Sequence, residues 1–97
     1  EMQTGVLVLN RDGRALYANP FFMSSFPAPG GVEGKTVAEI IKDRVLIDAV
    51  GDFLHAAAGA SKDIEISEGG RFFKVHIVPL NDSGEFSLLL FLQDITE

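Results

Sequence analysis

The residues best equipped for chemistry sit in one short stretch. Asp48, Asp52 and His55 are spaced i, i+4, i+7, which on a helix places two carboxylates and an imidazole on one face. Such a set can offer three oxygen or nitrogen ligands to a metal ion, or pair His55 with Asp52 as the base of a small hydrolase. The competing reading is a solvated helix face, because Leu46, Val50, Phe53, Leu54 and Ala57 recur at helical spacing and form a buried stripe opposite. It is also the stronger one, since nothing nearby completes a site. Ser24, Ser25 and Ser67 stand in no recognisable nucleophile motif, and Gly30-Gly31 lacks the Lys-Ser/Thr of a phosphate-binding loop. The chain has no cysteine, which excludes a disulfide framework, a thiolate metal site and a cysteine nucleophile. His76, between Lys74 and Val78 on a strand pattern, reads as a partly exposed sheet residue. We expect no catalytic residues and no metal site.

The second chemical feature is aromatic. Phe21, Phe22, Phe26, Phe53, Phe72 and Phe73 invite a small-molecule pocket, and its candidate lining is Phe22, Phe26, Val50, Phe53, Leu54 and Phe73. Small residues at Ala49, Gly51, Ala56 and Ala57 leave room for a small apolar ligand. Ordinary core packing is the stronger alternative, because a domain of this size needs those rings for its interior.

The element that must organise these residues is the last one. Glu85–Ile95 reads EFSLLLFLQDI, apolar without a break from Leu88 to Leu92. A half-buried strand alternates, so an unbroken run belongs to a mid-sheet strand covered on both faces. A buried helix is the rival, but Phe86, Phe91 and Ile95 favour a strand, and neither a cap nor a charged stripe marks a helix. Gly5–Asn10 is a second strand apolar on both sides, followed by an Arg11-Asp12-Gly13 turn and an edge strand over Arg14–Ala18 with Ala15 and Tyr17 opposite Leu16 and Ala18. Asn19 caps a short helix with Pro20 at its first position. Pro27–Gly34 is a loop, Thr36 caps a helical turn through Ile41 with Glu39 at the capping-box position, and Asp43 caps the main helix from Arg44 to about Ala58, ended by Gly59. Strands over Asp63–Ser67 and Arg71–Leu80 flank a Gly69-Gly70 turn, and Asn81–Gly84 turns into the last strand. The order β-β, helices, β-β-β predicts an α+β domain with one antiparallel sheet.

Ninety-seven residues, 46 % hydrophobic and 23 % charged, make a single globular domain. The formal charge of −6 argues against nucleic acid as a partner. No apolar run is long enough to span a bilayer and no signal peptide is present, so direct membrane insertion by this segment is not expected.

In this order and spacing, Gly5-Val6-Leu7-Val8, the Asp12-Gly13 turn, Tyr17-Ala18-Asn19-Pro20, Gly34-Lys35 and the closing Asp94-Ile95-Thr96-Glu97 resemble a PAS domain. The resemblance runs from about Gly5 to Glu97 and is closest to the short PAS sensor domains of bacterial sensor histidine kinases. It implies a five-stranded antiparallel sheet in order 2-1-5-4-3, with short helices and one longer helix packed on one face. It also implies a regulatory role without enzymatic activity, in a cytoplasmic piece of a longer signalling protein of a kind that includes membrane-anchored members. Asp94, Ile95 and Thr96 match the family's exit toward flanking helices and an effector domain. Flavin-type light sensing needs a cysteine that is missing, and the family's haem histidine falls at Asp48, so neither cofactor is expected.

If the helices cover one face of the sheet, the two-sided strands leave the other face apolar, and a contiguous apolar patch marks an interaction site. The expected face is Leu7, Leu9, Leu89 and Phe91, closed either by a helix preceding Glu1 or by the same face of a second subunit. A homodimer is the expected outcome. A stand-alone small-molecule-binding domain is the alternative.

Overall fold

Strand β5 (Glu85–Asp94) runs through the middle of the sheet, hydrogen-bonded on one side to β1 (Thr4–Leu9) and on the other to β4 (Arg71–Asp82). The computed structural model describes residues 4–56, 61–82 and 85–96. β2 (Ala15–Ala18) and β3 (Lys62–Glu68) close the two edges, giving the antiparallel order β2-β1-β5-β4-β3. Three helices, α1 (Pro20–Ser25), α2 (Val37–Ile40) and α3 (Arg44–Ala56), lie between β2 and β3 in the chain. The α+β architecture is the one the order of elements predicts, and the strand order is the one the family resemblance implies. The predicted helix end at Ala58 and Gly59, stripe residue Ala57 and turn residue Gly84 lie outside the described residues.

Each element starts where its local chemistry dictates. Asn19 caps α1 by accepting from the Phe22 N–H at 3.0 Å, with Pro20 next in the chain. Glu39 reaches back to accept from the Thr36 N–H at 2.8 Å, and that bond holds its carboxyl below the ordinary value. Asp43 spans two elements: one carboxylate oxygen accepts from Val45 N–H (2.9 Å) at the start of α3, and the other from Ser67 N–H (3.1 Å) on the edge strand β3. Gly69 and Gly70, with φ of 61° and 81°, make the two-residue turn between β3 and β4. Gly5 lets α1 approach β1 closely, since a Cβ there would meet Phe22 at 3.2 Å.

The core lies between the helices and one face of the sheet. From the sheet it takes Leu7, Leu9, Ile66, Phe73, Val75, Ile77, Leu88, Leu90 and Leu92, and from α1 and α3 it takes Phe22, Leu46, Ala49, Val50 and Phe53, with Phe26 just beyond α1. The predicted stripe on α3 is therefore the buried one. Among the described residues no helix is long and apolar enough to cross a membrane.

Two expectations about faces are corrected here. In register, Leu7 faces Leu90 and Leu9 faces Leu88, while Val6 faces Phe91 and Val8 faces Leu89. Directly opposed residues in an antiparallel pair share a face, so Leu7 and Leu9 are fully buried under the helices. They do not share a face with Leu89 and Phe91; Val6 and Val8 do. On β2, an irregularity between Val8 and Leu9 breaks the alternation, so that Ala15 and Ala18 both face the core side while Leu16 and Tyr17 are exposed.

Candidate functional site: an uncovered sheet face and a clasped exit

Among the described residues, no helix covers the second face of the sheet. Its rows can be read from the pairing: Tyr17, Val8, Leu89 and Val78 cross four strands, and Val6, Phe91, His76 and Asp63 form the next row. Thr4, Gln93, Lys74 and Glu65 follow, and Phe72 lies beyond them. Val6, Val8, Val78, Leu89 and Phe91 are only partly buried, and Tyr17, Leu80 and Phe72 are about half exposed. One half of this outer face is thus a contiguous apolar surface and the other half is polar. Of the four residues predicted for an interaction face, Leu89 and Phe91 are on it.

In the polar half, His76 Nδ1 and Asp63 Oδ1 are in hydrogen-bond contact across β3 and β4. That contact holds the Asp63 carboxyl below its ordinary value. Sequence reading places His76 correctly as a partly exposed sheet residue but misses its partner. The signal was available: counting outward from the Gly69-Gly70 turn sets Glu68 against Arg71 and, five pairs on, Asp63 against His76.

The predicted exit residues Asp94, Ile95 and Thr96 come together with two that were missed, Arg71 and Phe72. Arg71 donates from Nε to Asp94 Oδ2 at 3.1 Å, and its terminal nitrogen contacts the same oxygen. Asp94 Oδ1 accepts from the Thr96 N–H at 2.9 Å. The Phe72 N–H donates to the Thr96 hydroxyl oxygen at 2.7 Å, and the Ile95 N–H to the Phe72 carbonyl at 2.9 Å. The end of the chain is thereby clasped to the start of β4. The Arg71 guanidinium, with the Thr96 N–H, pushes the Asp94 carboxyl down to about 2.

The sign of the resulting pH dependence follows. A depressed carboxyl contributes stability that is present above its unfolded value, 3.8, and is lost as the pH falls toward about 2. Amide exchange at Ile95 and Thr96 is expected to accelerate through that window, and Asp94→Asn to remove the dependence. Exchange rates indifferent to pH after correction for intrinsic chemistry would mean that the clasp holds nothing.

The six candidate pocket residues also come together, as core. Phe22, Phe26, Val50, Phe53 and Phe73 are buried and Leu54 is half-buried. Phe22 and Phe26 rings lie 4.8 Å apart and Phe26 and Phe73 rings 4.9 Å apart, in tilted contact. The Arg71 guanidinium sits 5.2 Å from the Phe73 ring centroid. A continuous series of contacts therefore links the aromatic core to the clasp. Asp48, Asp52 and His55 are all exposed, with Asp48 4.0 Å from Arg44 on the preceding turn. Among the described residues no three acidic or histidine side chains converge on a point that could hold a metal.

A five-stranded antiparallel sheet in this order, clad by helices on one side, is the architecture of the PAS fold. The chain belongs to the PAS family, whose fold description matches residues 1–97. It is similar to the sensor region of a sensor histidine kinase, at 26 % identity over 96 % of this chain and 39 % of that one, with a TM-score of 0.78. It is also similar to the PAS domain of BvgS from Bordetella pertussis (27 % identity, 98 % of this chain and 79 % of that one, TM-score 0.72). A domain of an HTR-like protein from Haloarcula marismortui shares the fold (22 % identity, 97 % and 99 %, TM-score 0.73). No curated protein sequence matches the chain.

Proposed function

We propose that this domain is a cytoplasmic, non-catalytic regulatory module of a larger signalling protein, most simply a sensor histidine kinase. In this reading it pairs with a second copy through the outer sheet face and passes changes in core or dimer geometry out through β5. The observation that carries the reading is the two-sided β5: Leu88, Leu90 and Leu92 fill the core, while Leu89 and Phe91 lie on a face the chain's own helices do not cover. The similarity to the sensor region of a histidine kinase supports the signalling context.

The size of the face favours a second copy over a single covering helix. Five strands at about 4.8 Å spacing are about 24 Å wide, and the ten residues of β5 at about 3.4 Å each are about 34 Å long. That gives at most about 800 Å², close to what one partner contributes to an interface of standard size. One helix, about 10 Å across, would leave more than half the width bare. Tilted contacts from Phe22 through Phe26 and Phe73 to Arg71 supply a route from core to exit. That route runs through the protein's own side chains, so the reading needs neither haem, flavin nor a small apolar molecule.

Sedimentation of the purified chain tests it. A concentration-dependent dimer is expected, and Phe91→Asp, which puts a charge into the apolar row, is expected to weaken it at least a hundredfold. A monomer up to millimolar concentration, or a dimer indifferent to Phe91→Asp, would end the face-to-face reading.

A further inference from the structure

The apolar half of the outer face explains why something should cover it. The polar half bears on when. There Thr4, Asp63, Lys74, His76, Phe91 and Gln93 line a shallow cleft of about 240 Å³. We propose that the Asp63–His76 pair makes the pairing of two sheet faces proton-dependent, with association strengthening as His76 takes up a proton. The proposal rests on the face-to-face reading above.

His76 and Asp63 are half exposed, at 47 % and 51 % of their side-chain surface, so whatever covers this face covers them. His76 borders the apolar rows directly: Phe91 is its cross-strand neighbour on β5, with ring centroids 6.3 Å apart, and Val6 lies beyond on β1. The charged groups around it are few. β3 contributes Asp63 and Glu65, and β4 contributes Lys74; β5 faces it with Phe91 and Gln93, and β1 with Thr4 and Val6, none of which titrates. With a neutral imidazole, two carboxylates stand against one ammonium, and each copy brings an unbalanced negative charge to the interface. With a protonated imidazole the group is balanced.

In the free domain water screens this difference. Once two faces meet, water is excluded, and two surplus charges of like sign are both desolvated and mutually repulsive. The proton therefore favours the paired state, and by reciprocity pairing favours the proton. Because the hydrogen bond from His76 holds Asp63 below its ordinary value, Asp63 stays ionised throughout the range between about pH 5 and 8 in which imidazoles ordinarily titrate. Association should thus rise on mild acidification and fall again only where the carboxylates of the group, Glu65 and Asp63, are themselves neutralised.

The test is the dimer dissociation constant of the 97-residue chain at fixed ionic strength, at about pH 8 and about pH 5.5. Association is expected to be on the order of tenfold tighter at the lower value. His76→Gln should flatten the profile. Asp63→Asn should reverse it, because Glu65 and Lys74 already balance and a protonated His76 then adds a surplus positive charge. A wild-type dimer with the same affinity at both pH values, or a dependence that survives His76→Gln, would overturn the proton switch and leave the dimer standing. A monomer at every pH would overturn the face-to-face reading and this proposal with it.

Discussion

Phe73→Ala is expected to cost about 3–5 kcal/mol in urea unfolding, whereas Phe72→Ala, one residue away, should change stability by no more than about 0.5 kcal/mol. The contrast comes from the two sides of one strand. Phe73 is 1 % exposed, in contact with Phe26, and lies beneath the Arg71 guanidinium. Truncating it removes the transfer energy of a ring and leaves a hole that Phe26 and Val75 cannot readily fill. Phe72 is 54 % exposed and is held through its backbone, to Thr96 and Ile95. For a domain of this length the whole stability is about 5–15 kcal/mol, so Phe73→Ala should leave a marginal fold. A loss below about 1.5 kcal/mol would mean that the ring is not packed as described and that room for a ligand exists beside it. A second consequence separates packing from signalling. With the ring gone, Arg71 loses its support, and exchange at Thr96 should rise beyond what global destabilisation explains.

Packing of this kind was legible because it depends on period and composition. The central place of Glu85–Asp94, the caps at Asn19, Thr36 and Asp43 and the α3 stripe all follow from local chemistry that the chain states outright. What period cannot supply is the phase between two strands. Leu7 and Leu9 share a face, and so do Leu89 and Phe91, but only register says that these are different faces. A slip of one residue exchanges the two sides of a strand entirely. Nothing in the chain between β1 and β5 fixes that slip, because the two strands are joined through three helices and three other strands. Between β3 and β4 a two-residue glycine turn does fix it, and the Asp63–His76 pair could have been read there. The irregularity opposite Val8 and Leu9 was not legible for a related reason. RALYA alternates well enough to pass as regular, and the turn just before it, where Asn10 accepts from Asp12 and Arg14 N–H at 2.9 and 3.0 Å, does not announce an extra residue. The Arg71–Asp94 clasp was half legible: the acid was picked out by resemblance, but its partner lies 23 positions earlier and comes near only through the β4–β5 pairing.

Asn19 carries the other large effect. β2 ends at Ala18, yet β1 still has backbone groups to satisfy along the edge that β2 has left. Asn19 meets them. Its N–H donates to the Val6 carbonyl at 3.0 Å, its Oδ1 accepts from the Val6 N–H at 2.9 Å, and its Nδ2 donates to the Thr4 carbonyl at 3.0 Å. The same Oδ1 caps α1 through Phe22 N–H. One amide thus imitates the next peptide of the strand and starts the helix. Asn19→Ala removes a cap, worth about 1 kcal/mol, and strands the partly buried Val6 N–H, worth about 1–3 kcal/mol. A loss of about 2–4 kcal/mol is expected, together with early exchange of the Val6 amide. Asn19→Asp dissects the bonds further. The carboxylate can still accept from Val6 and Phe22, but its second oxygen then faces the Thr4 carbonyl with no proton between them. That variant should lie between wild type and Asn19→Ala at neutral pH. It should recover relative to wild type on acidification, because a protonated carboxyl can donate to Thr4 again. If Asn19→Asp matches wild type at neutral pH, the Nδ2 bond contributes nothing and the capping oxygen alone sets the entry to α1.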